Sequence, residues 1–221
     1  MKIALNTLLD EIKASVPHQA HLLAVSKGQP MEKIERLYAQ GQRDFGENYA
    51  AEMVDKIEGL RERCPDIRWH FIGKVQKRQA KMIVKAQWVH SVGSLREISY
   101  LKRVMAPGLK VLLQVNIAEE PQKGGFIPEH LMGVDFAELT GDGLHIAGLM
   151  CLPPAGHVNA FGAKFFEETR TLRDELQTRW GCAMPELSMG MSGDYLEALK
   201  AGATWVRVGT LLFGARPMKK I

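Results

Sequence analysis

Disulfide frameworks, membrane helices and metal-binding spacings are all missing from this 221-residue sequence, and each absence narrows the reading. Its three cysteines, Cys64, Cys151 and Cys182, are odd in number and far apart. They argue for reduced thiols and a cytoplasmic setting. No stretch approaches the roughly 18 apolar residues of a membrane span. Met1 to Glu11 carries acids and no long apolar run with a cleavage site, so no signal peptide is expected. Neither charge dominates: 29 basic against 25 acidic residues leave +4, too little to demand a nucleic-acid partner. The seven histidines show neither H-E-x-x-H nor cysteine-pair spacing, and no metal site is expected. No Pro/Gly/Ser-rich linker or low-complexity tract interrupts the chain, so residues 1–221 read as one domain.

What is present is a core. At 46% hydrophobic and 24% charged residues the composition is that of a soluble globular protein. Ile3, Leu5, Leu8, Leu9 and Ile12 recur at helical spacing and predict an opening amphipathic helix. After Pro17 the register changes, and short apolar runs begin to alternate with helical patterns. Strands are predicted at Leu22 to Val25, Arg43 to Phe45, Trp69 to Ile72, Trp88 to Val92, Val111 to Val115, His145 to Met150, Glu186 to Ser188 and Trp205 to Val208. Helices are predicted at Pro30 to Gly41, Tyr49 to Leu60, Val75 to Lys85, Leu95 to Met105, Pro128 to Leu139, Ala160 to Trp180 and Gly193 to Ala201. Such alternation means a parallel sheet, and eight units favour closure into a single (β/α)8 TIM barrel. A doubly wound open sheet is the competitor. Against it, no G-x-G-x-x-G follows the first strand, where a dinucleotide-binding fold would carry it.

In a barrel the chemistry gathers at the carboxyl ends of the strands, and phosphate is often held after strands seven and eight. Lys27 falls just past the first predicted strand and Asn48 follows the second. Ile72 and Gly73 end the third, Asn116 follows the fifth and Met150 closes the sixth. Ser188 to Ser192 follow the seventh, and Arg207, Gly209 and Thr210 lie on and after the eighth. One strand end offers an amine, another a cation and an anion-binding turn. Those are the parts needed to hold a phosphorylated aldehyde, of which pyridoxal phosphate is one. Lys27 must lose a proton to attack an aldehyde; desolvation and the neighbouring Arg207 cation would help, and a solvated lysine at a loop start is the plain alternative. Gly209 and Thr210, at the start of a short helix, can offer two backbone N–H groups and a hydroxyl. Ser192 can add a hydroxyl or serve as an ordinary N-cap. Arg207 sits between Val206 and Val208 and needs a partner, either a carboxylate or a ring nitrogen. Because arginine stays protonated, the second choice leaves the ring a poor electron sink and favours holding a cofactor over carbanion chemistry.

The motifs A-V-S-K at 24–27, F-G-E-N-Y at 45–49, W-H-F-I-G at 69–73, G-L-M at 148–150 with Pro153, L-S-M-G-M-S at 187–192, and V-R-V-G-T with F-G-A-R at 206–216 span nearly the whole chain. With them the sequence resembles the pyridoxal phosphate homeostasis protein family, the stand-alone relatives of the alanine racemase barrel. The resemblance implies an alanine racemase N-terminal-domain-like barrel with an extra amino-terminal helix. It implies pyridoxal 5'-phosphate held as an aldimine at Lys27, with Arg207 facing the pyridine nitrogen. Ser192, Gly209 and Thr210 would hold the phosphate, and Asn48, Ile72 and Met150 would line the ring. It further implies a carrier or regulator of cofactor supply with effects on amino-acid balance, no assigned catalytic residue, and PLP-dependent apoenzymes as recipients. The chain is expected to be monomeric. It departs from the family's pattern at Gly28, where threonine is usual, at the basic loop Lys74-Val75-Gln76-Lys77-Arg78, at Gly124 and at Ala155-Gly156-His157.

Three other readings remain in view. An amino-acid racemase needs an acid/base on each face of the substrate carbon. Lys27 supplies one, but the racemase family's tyrosine sits on a further carboxyl-terminal domain, the chain stops at Ile221, and Tyr38, Tyr49, Tyr100 and Tyr195 are not placed by motif as that base. A Schiff-base aldolase without cofactor would also use Lys27. A nucleic-acid-binding module would use Lys74, Lys77, Arg78, Lys81 and Lys85, expected along one helix face, but no aromatic residues interleave the run, and such a run is more often a solvated face.

Overall fold

The computed structural model describes residues 3–16, 19–104, 107–154 and 160–215. Pro17, His18, Met105, the stretch Ala155-Gly156-His157 and Arg216, all used in the sequence reading, lie outside the described residues. The chain opens with α1 (Leu5–Ser15), whose Leu5, Leu8 and Ile12 are buried at helical spacing. Eight strands follow: β1 (His21–Val25), β2 (Asp44–Glu47), β3 (Arg68–Phe71), β4 (Trp88–Val92), β5 (Leu109–Val115), β6 (Leu144–Cys151), β7 (Glu186–Met191) and β8 (Trp205–Val208). Each pairs in parallel with the next, and β8 pairs with β1, so the sheet is a closed barrel. The connecting helices are α2 (Met31–Ala39), α3 (Ala50–Leu60), α4 (Ala80–Ile83), α5 (Leu95–Lys102), α6 (Pro128–Met132), α7 (Phe136–Leu139), α8 (Ala160–Trp180), α9 (Tyr195–Lys200) and α10 (Thr210–Phe213).

Two cores result, because parallel strands bury both faces. The larger lies between the sheet and the helices and includes Phe45, Phe71, Leu113, Leu149 and Phe166. The smaller fills the barrel and consists of Leu23, Trp88, Leu112, Ala147, Met150 and Trp205, with Ile72 packed against its top. His70 and His90 share this interior; His70 stacks on Trp88 with ring centroids 5.7 Å apart, and His90 meets Trp205 at 6.0 Å.

Four expectations change. The predicted basic helix over Val75 to Lys85 is instead a 3-10 turn (Lys77–Gln79) followed by the single turn of α4. Only Val75, Ala80 and Ile83 are buried there, too sparse an apolar stripe to hold three turns against the barrel. Pro128 to Leu139 breaks into α6 and α7 at Gly133, and the Asp135 carboxylate caps the second piece by accepting from Ala137 N–H at 3.0 Å. Strand β7 runs on to Met191, past the predicted end at Ser188, so Met189 to Met191 lie inside it and not after it. Helix α9 starts late: Asp194 occupies the N-cap position and accepts from Met191 N–H at 2.6 Å, so Ser192 is not the cap.

Candidate cofactor site at the barrel mouth

Lys27 leaves β1 on a turn made rigid from below. The Ser26 amide donates to the Gly46 carbonyl at 3.0 Å, and the Ser26 hydroxyl donates to Glu47 Oε1 at 2.6 Å. Lys56 Nζ donates to the Ser26 carbonyl (2.8 Å), to Glu47 Oε1 (2.7 Å) and to Glu52 Oε1 (2.6 Å). Glu52 in turn accepts the Gly28 amide at 2.6 Å. Gly28 has φ +67, a left-handed conformation that a β-branched residue adopts only under strain, which accounts for a glycine here. Burial raises the Glu47 pKa against the opposing pull of Lys56, and its Oε2 is buried without a partner among the described residues.

Asn48 follows β2 and is held by backbone proximity. A Cβ at Gly73, just after β3, would overlap the Asn48 carbonyl, so only glycine lets these two strand ends close together. The Asn48 Oδ1 atom is buried and has no partner among the described residues. On the other side of β1, Gly209 precedes α10, and its carbonyl accepts from Leu212 and Phe213 N–H at 3.0 and 2.9 Å. Thr210 Oγ1 lies 3.4 Å from Ser192 Oγ, so the ends of β7 and β8 bring two hydroxyls together.

Arg207 is buried, and its hydrogen bonds go to neither of the partners weighed from the sequence. Nη1 donates to Ser188 Oγ at 2.8 Å and Nη2 to the Cys151 carbonyl at 3.0 Å. The partners are a hydroxyl and a carbonyl, not a carboxylate. Burial lowers its pKa, yet a guanidinium still stays charged near neutrality. Two of its five N–H donors are committed in this way.

These strand ends enclose one cavity of about 360 Å³, within the roughly 300–1,000 Å³ typical of small-molecule sites. Lys27, Asn48, Ile72, Met150, Ser192, Arg207, Gly209 and Thr210 all line it. Val25, Leu152, Met191 and Gly193 complete the wall and were not singled out as wall residues by the sequence. The floor is Met150 and Ile72, the top of the small inner core. Sequence reasoning also missed Glu47, Glu52 and Lys56 under Lys27. Glu47 lies within F-G-E-N-Y, but no local signal ties it to a lysine one helix away. His70 is buried, whereas His145 on β6 is exposed. Lys74, Lys77, Arg78, Lys81 and Lys85 are all exposed and none lines this cavity, although Lys74 lines an adjoining one that shares Asn48 and Ile72 with it. Among the described residues no cluster of His, Cys, Asp or Glu could hold a metal ion, and no helix is long and apolar enough to cross a membrane.

The closed parallel barrel with its amine-and-guanidinium mouth defines a class, and residues 3–217 match the family described as alanine racemase, N-terminal domain. Relatives narrow it. The pyridoxal phosphate homeostasis protein of Aquifex aeolicus is 38% identical over 89% of this chain and 87% of its own length. That of Mus musculus is 35% identical over 91% and 79%. The structure of PipY from Synechococcus elongatus with pyridoxal phosphate bound is 36% identical, has a TM-score of 0.86, and covers 96% of this chain and 100% of its own. The chain belongs to the pyridoxal phosphate homeostasis protein family. An alanine racemase from Clostridium difficile, 15% identical with a TM-score of 0.75, covers 98% of this chain and 61% of its own, a likeness of fold alone.

Proposed function

We propose that this chain binds pyridoxal 5'-phosphate reversibly through Lys27 and acts as a single-domain, cytoplasmic carrier and regulator of that cofactor, with effects on amino-acid balance and no turnover of its own. One observation carries the reading: the eight residues expected to hold the cofactor, drawn from β1, β2, β3, β6, β7 and β8 or the turns after them, line one cavity. The fit is chemical as well. The cavity presents an amine, a buried guanidinium, two adjacent hydroxyls and an orphaned amide oxygen on Asn48, matching an aldehyde, a ring nitrogen, a phosphate and a ring hydroxyl. The PLP-bound PipY structure supports the choice of cofactor.

When bound, pyridoxal phosphate supplies an aldehyde for amines and a ring that draws electrons from the atoms attached to it. The chain's own residues do the rest. Lys27 Nζ is the amine that would hold the aldehyde, reversibly and with loss and regain of one water. Ser192 and Thr210 would offer hydroxyl hydrogens, with the backbone N–H groups at Gly209 and Thr210, to the phosphate. Arg207 would face the ring nitrogen as a donor that keeps its own proton, which would leave the ring a weak electron sink. No tyrosine lines the cavity among the described residues; Tyr38 bonds Asp66 and Tyr195 donates to Glu11 at 2.8 Å. The apoenzymes that need the cofactor are the proposed recipients.

The test is borohydride reduction of the cofactor-loaded protein followed by peptide mapping. A reduced adduct on the peptide bearing Lys27 is expected. An adduct on another lysine, or a preparation that stays colourless after soaking in the aldehyde, overturns the assignment.

A further inference from the structure

The guanidinium of Arg207 is the upper end of a hydrogen-bonded line through the barrel interior. Ser188 Oγ on β7 accepts from Arg207 Nη1 at 2.8 Å and meets His90 Nδ1 on β4 at 2.9 Å. His90 Nε2 lies 2.9 Å from His70 Nδ1 on β3, and His70 Nε2 lies 3.1 Å from Asp44 Oδ1 on β2. Arg68 closes the lower end with two bonds to the Asp44 carboxylate, both 2.6 Å. Arg207, Ser188, His90, His70 and Asp44 are all buried.

Burial keeps both imidazoles below their ordinary pKa, His90 well below, with His70 and Arg207 adding to the effect there, so each carries a single ring hydrogen. The Asp44 carboxylate only accepts, which places the His70 hydrogen on Nε2 and leaves His70 Nδ1 to accept from His90 Nε2. His90 Nδ1 is then an acceptor, so Ser188 receives from the Arg207 guanidinium and gives its own hydrogen to His90. Every hydrogen on the line therefore points from the mouth toward the floor.

We infer that Ser188, His90, His70 and Asp44 are positioning residues that lock the Arg207 guanidinium as a fixed donor beneath the cofactor ring. This rests on the reading that the cofactor sits above Arg207. The line touches no part of the cavity except through Arg207, so its influence on bound cofactor must pass through that side chain. A rotated Arg207 would present a different face to the ring nitrogen, altering both the retention of the cofactor and the absorption of the lysine-bound ring.

The experiment compares Ser188→Ala with His90→Asn, reading the visible absorption band of the loaded protein, cofactor retention on dilution, and thermal unfolding of the cofactor-free protein. Ser188→Ala removes the acceptor held by a charged donor, and about tenfold weaker retention with a displaced band is expected. Its cofactor-free protein should unfold at a lower temperature, because a buried guanidinium N–H and His90 Nδ1 lose their partner. His90→Asn offers an amide oxygen near the Nδ1 position, preserving the bond to Ser188 while losing the imidazole's packing on Trp88 and Trp205. By cutting the line between Ser188 and His70 it should move band and retention in the same direction as Ser188→Ala, by a smaller amount. A purely structural role predicts lower unfolding temperatures with band and retention unchanged. The inference falls if Ser188→Ala leaves band and retention unchanged, or if His90→Asn lowers the unfolding temperature without moving either. Should wild type itself form no adduct at Lys27, the functional reading fails as well, which separates the two failures.

Discussion

Leu23 on β1 and Arg207 on β8 are register partners at the seam where the barrel closes. Lys27 lies four residues beyond Leu23 along the same rising strand, so closing the seam delivers the amine and the guanidinium to one mouth. Neither strand makes a site alone. The pairing of the first and last strands is what turns two distant motifs into one cavity.

Lys27→Ala should abolish the borohydride-trapped adduct while leaving the fold intact, because the side chain is half-buried at a strand end and not in a core. Intact-mass measurement after reduction checks this; an undiminished adduct would refute the covalent assignment.

Thr210→Val exchanges a hydroxyl for a methyl at nearly constant volume, next to Ser192 Oγ at 3.4 Å. Loss of one hydrogen bond to a charged phosphate corresponds to about 1.5–3 kcal/mol, so retention should fall by about 10- to 100-fold. Cofactor release on dilution reads the change, and thermal unfolding without cofactor should stay near wild type.

Lys56→Met should be among the more damaging single changes. It leaves the Glu47 carboxylate, fully buried beneath the Lys27 turn, without its ion partner at 2.7 Å. Breaking such a pair costs about 3–5 kcal/mol. Adding Glu47→Gln should recover part of the loss, since an amide does not carry the stranded charge. Urea unfolding of the single and double variants decides; no recovery in the double variant would mean the pair is not the source of the cost.

Asp44 sets a pH dependence. Burial pushes its pKa up, but the Arg68 fork and His70 outweigh this, and the net shift is below the usual carboxylate value. A depressed folded pKa means stability that is present above the unfolded pKa of about 3.9 and is lost as pH falls through the folded value. Asp44→Asn should therefore destabilise near neutrality by about 1–3 kcal/mol, with the gap to wild type narrowing below about pH 4. Denaturant midpoints measured from pH 7 downward follow the gap; a gap that stays constant with pH would exclude the carboxylate's charge as the cause.

Much of the architecture was legible because each unit announces itself locally. Trp88–Val92, Ala160–Trp180 and Trp205–Val208 fall where apolar runs and helical spacing predict them. The misreadings lie where local pattern and tertiary contact disagree. Val75 to Lys85 has helical composition but too little buried surface to sustain a helix. The seventh strand reads as ending at Ser188 because glycine follows at 190, and Gly190 has φ +85 inside a strand that runs on to Met191. The buried line below Arg207 was not legible at all: His90 and Ser188 are 98 residues apart and meet only across the barrel. His70 and His90, taken singly, look like ordinary core histidines.

The order of strands and helices, the lysine after the first strand and the arginine on the last were written into the chain itself, since hydrophobic period and strand-end position are local properties. Which side chains face one another inside the closed sheet was not. That depends on strand register and on the diameter of a barrel only wide enough for its own side chains, so the direction of hydrogens from Arg207 down to Asp44 exists only once β8 has met β1.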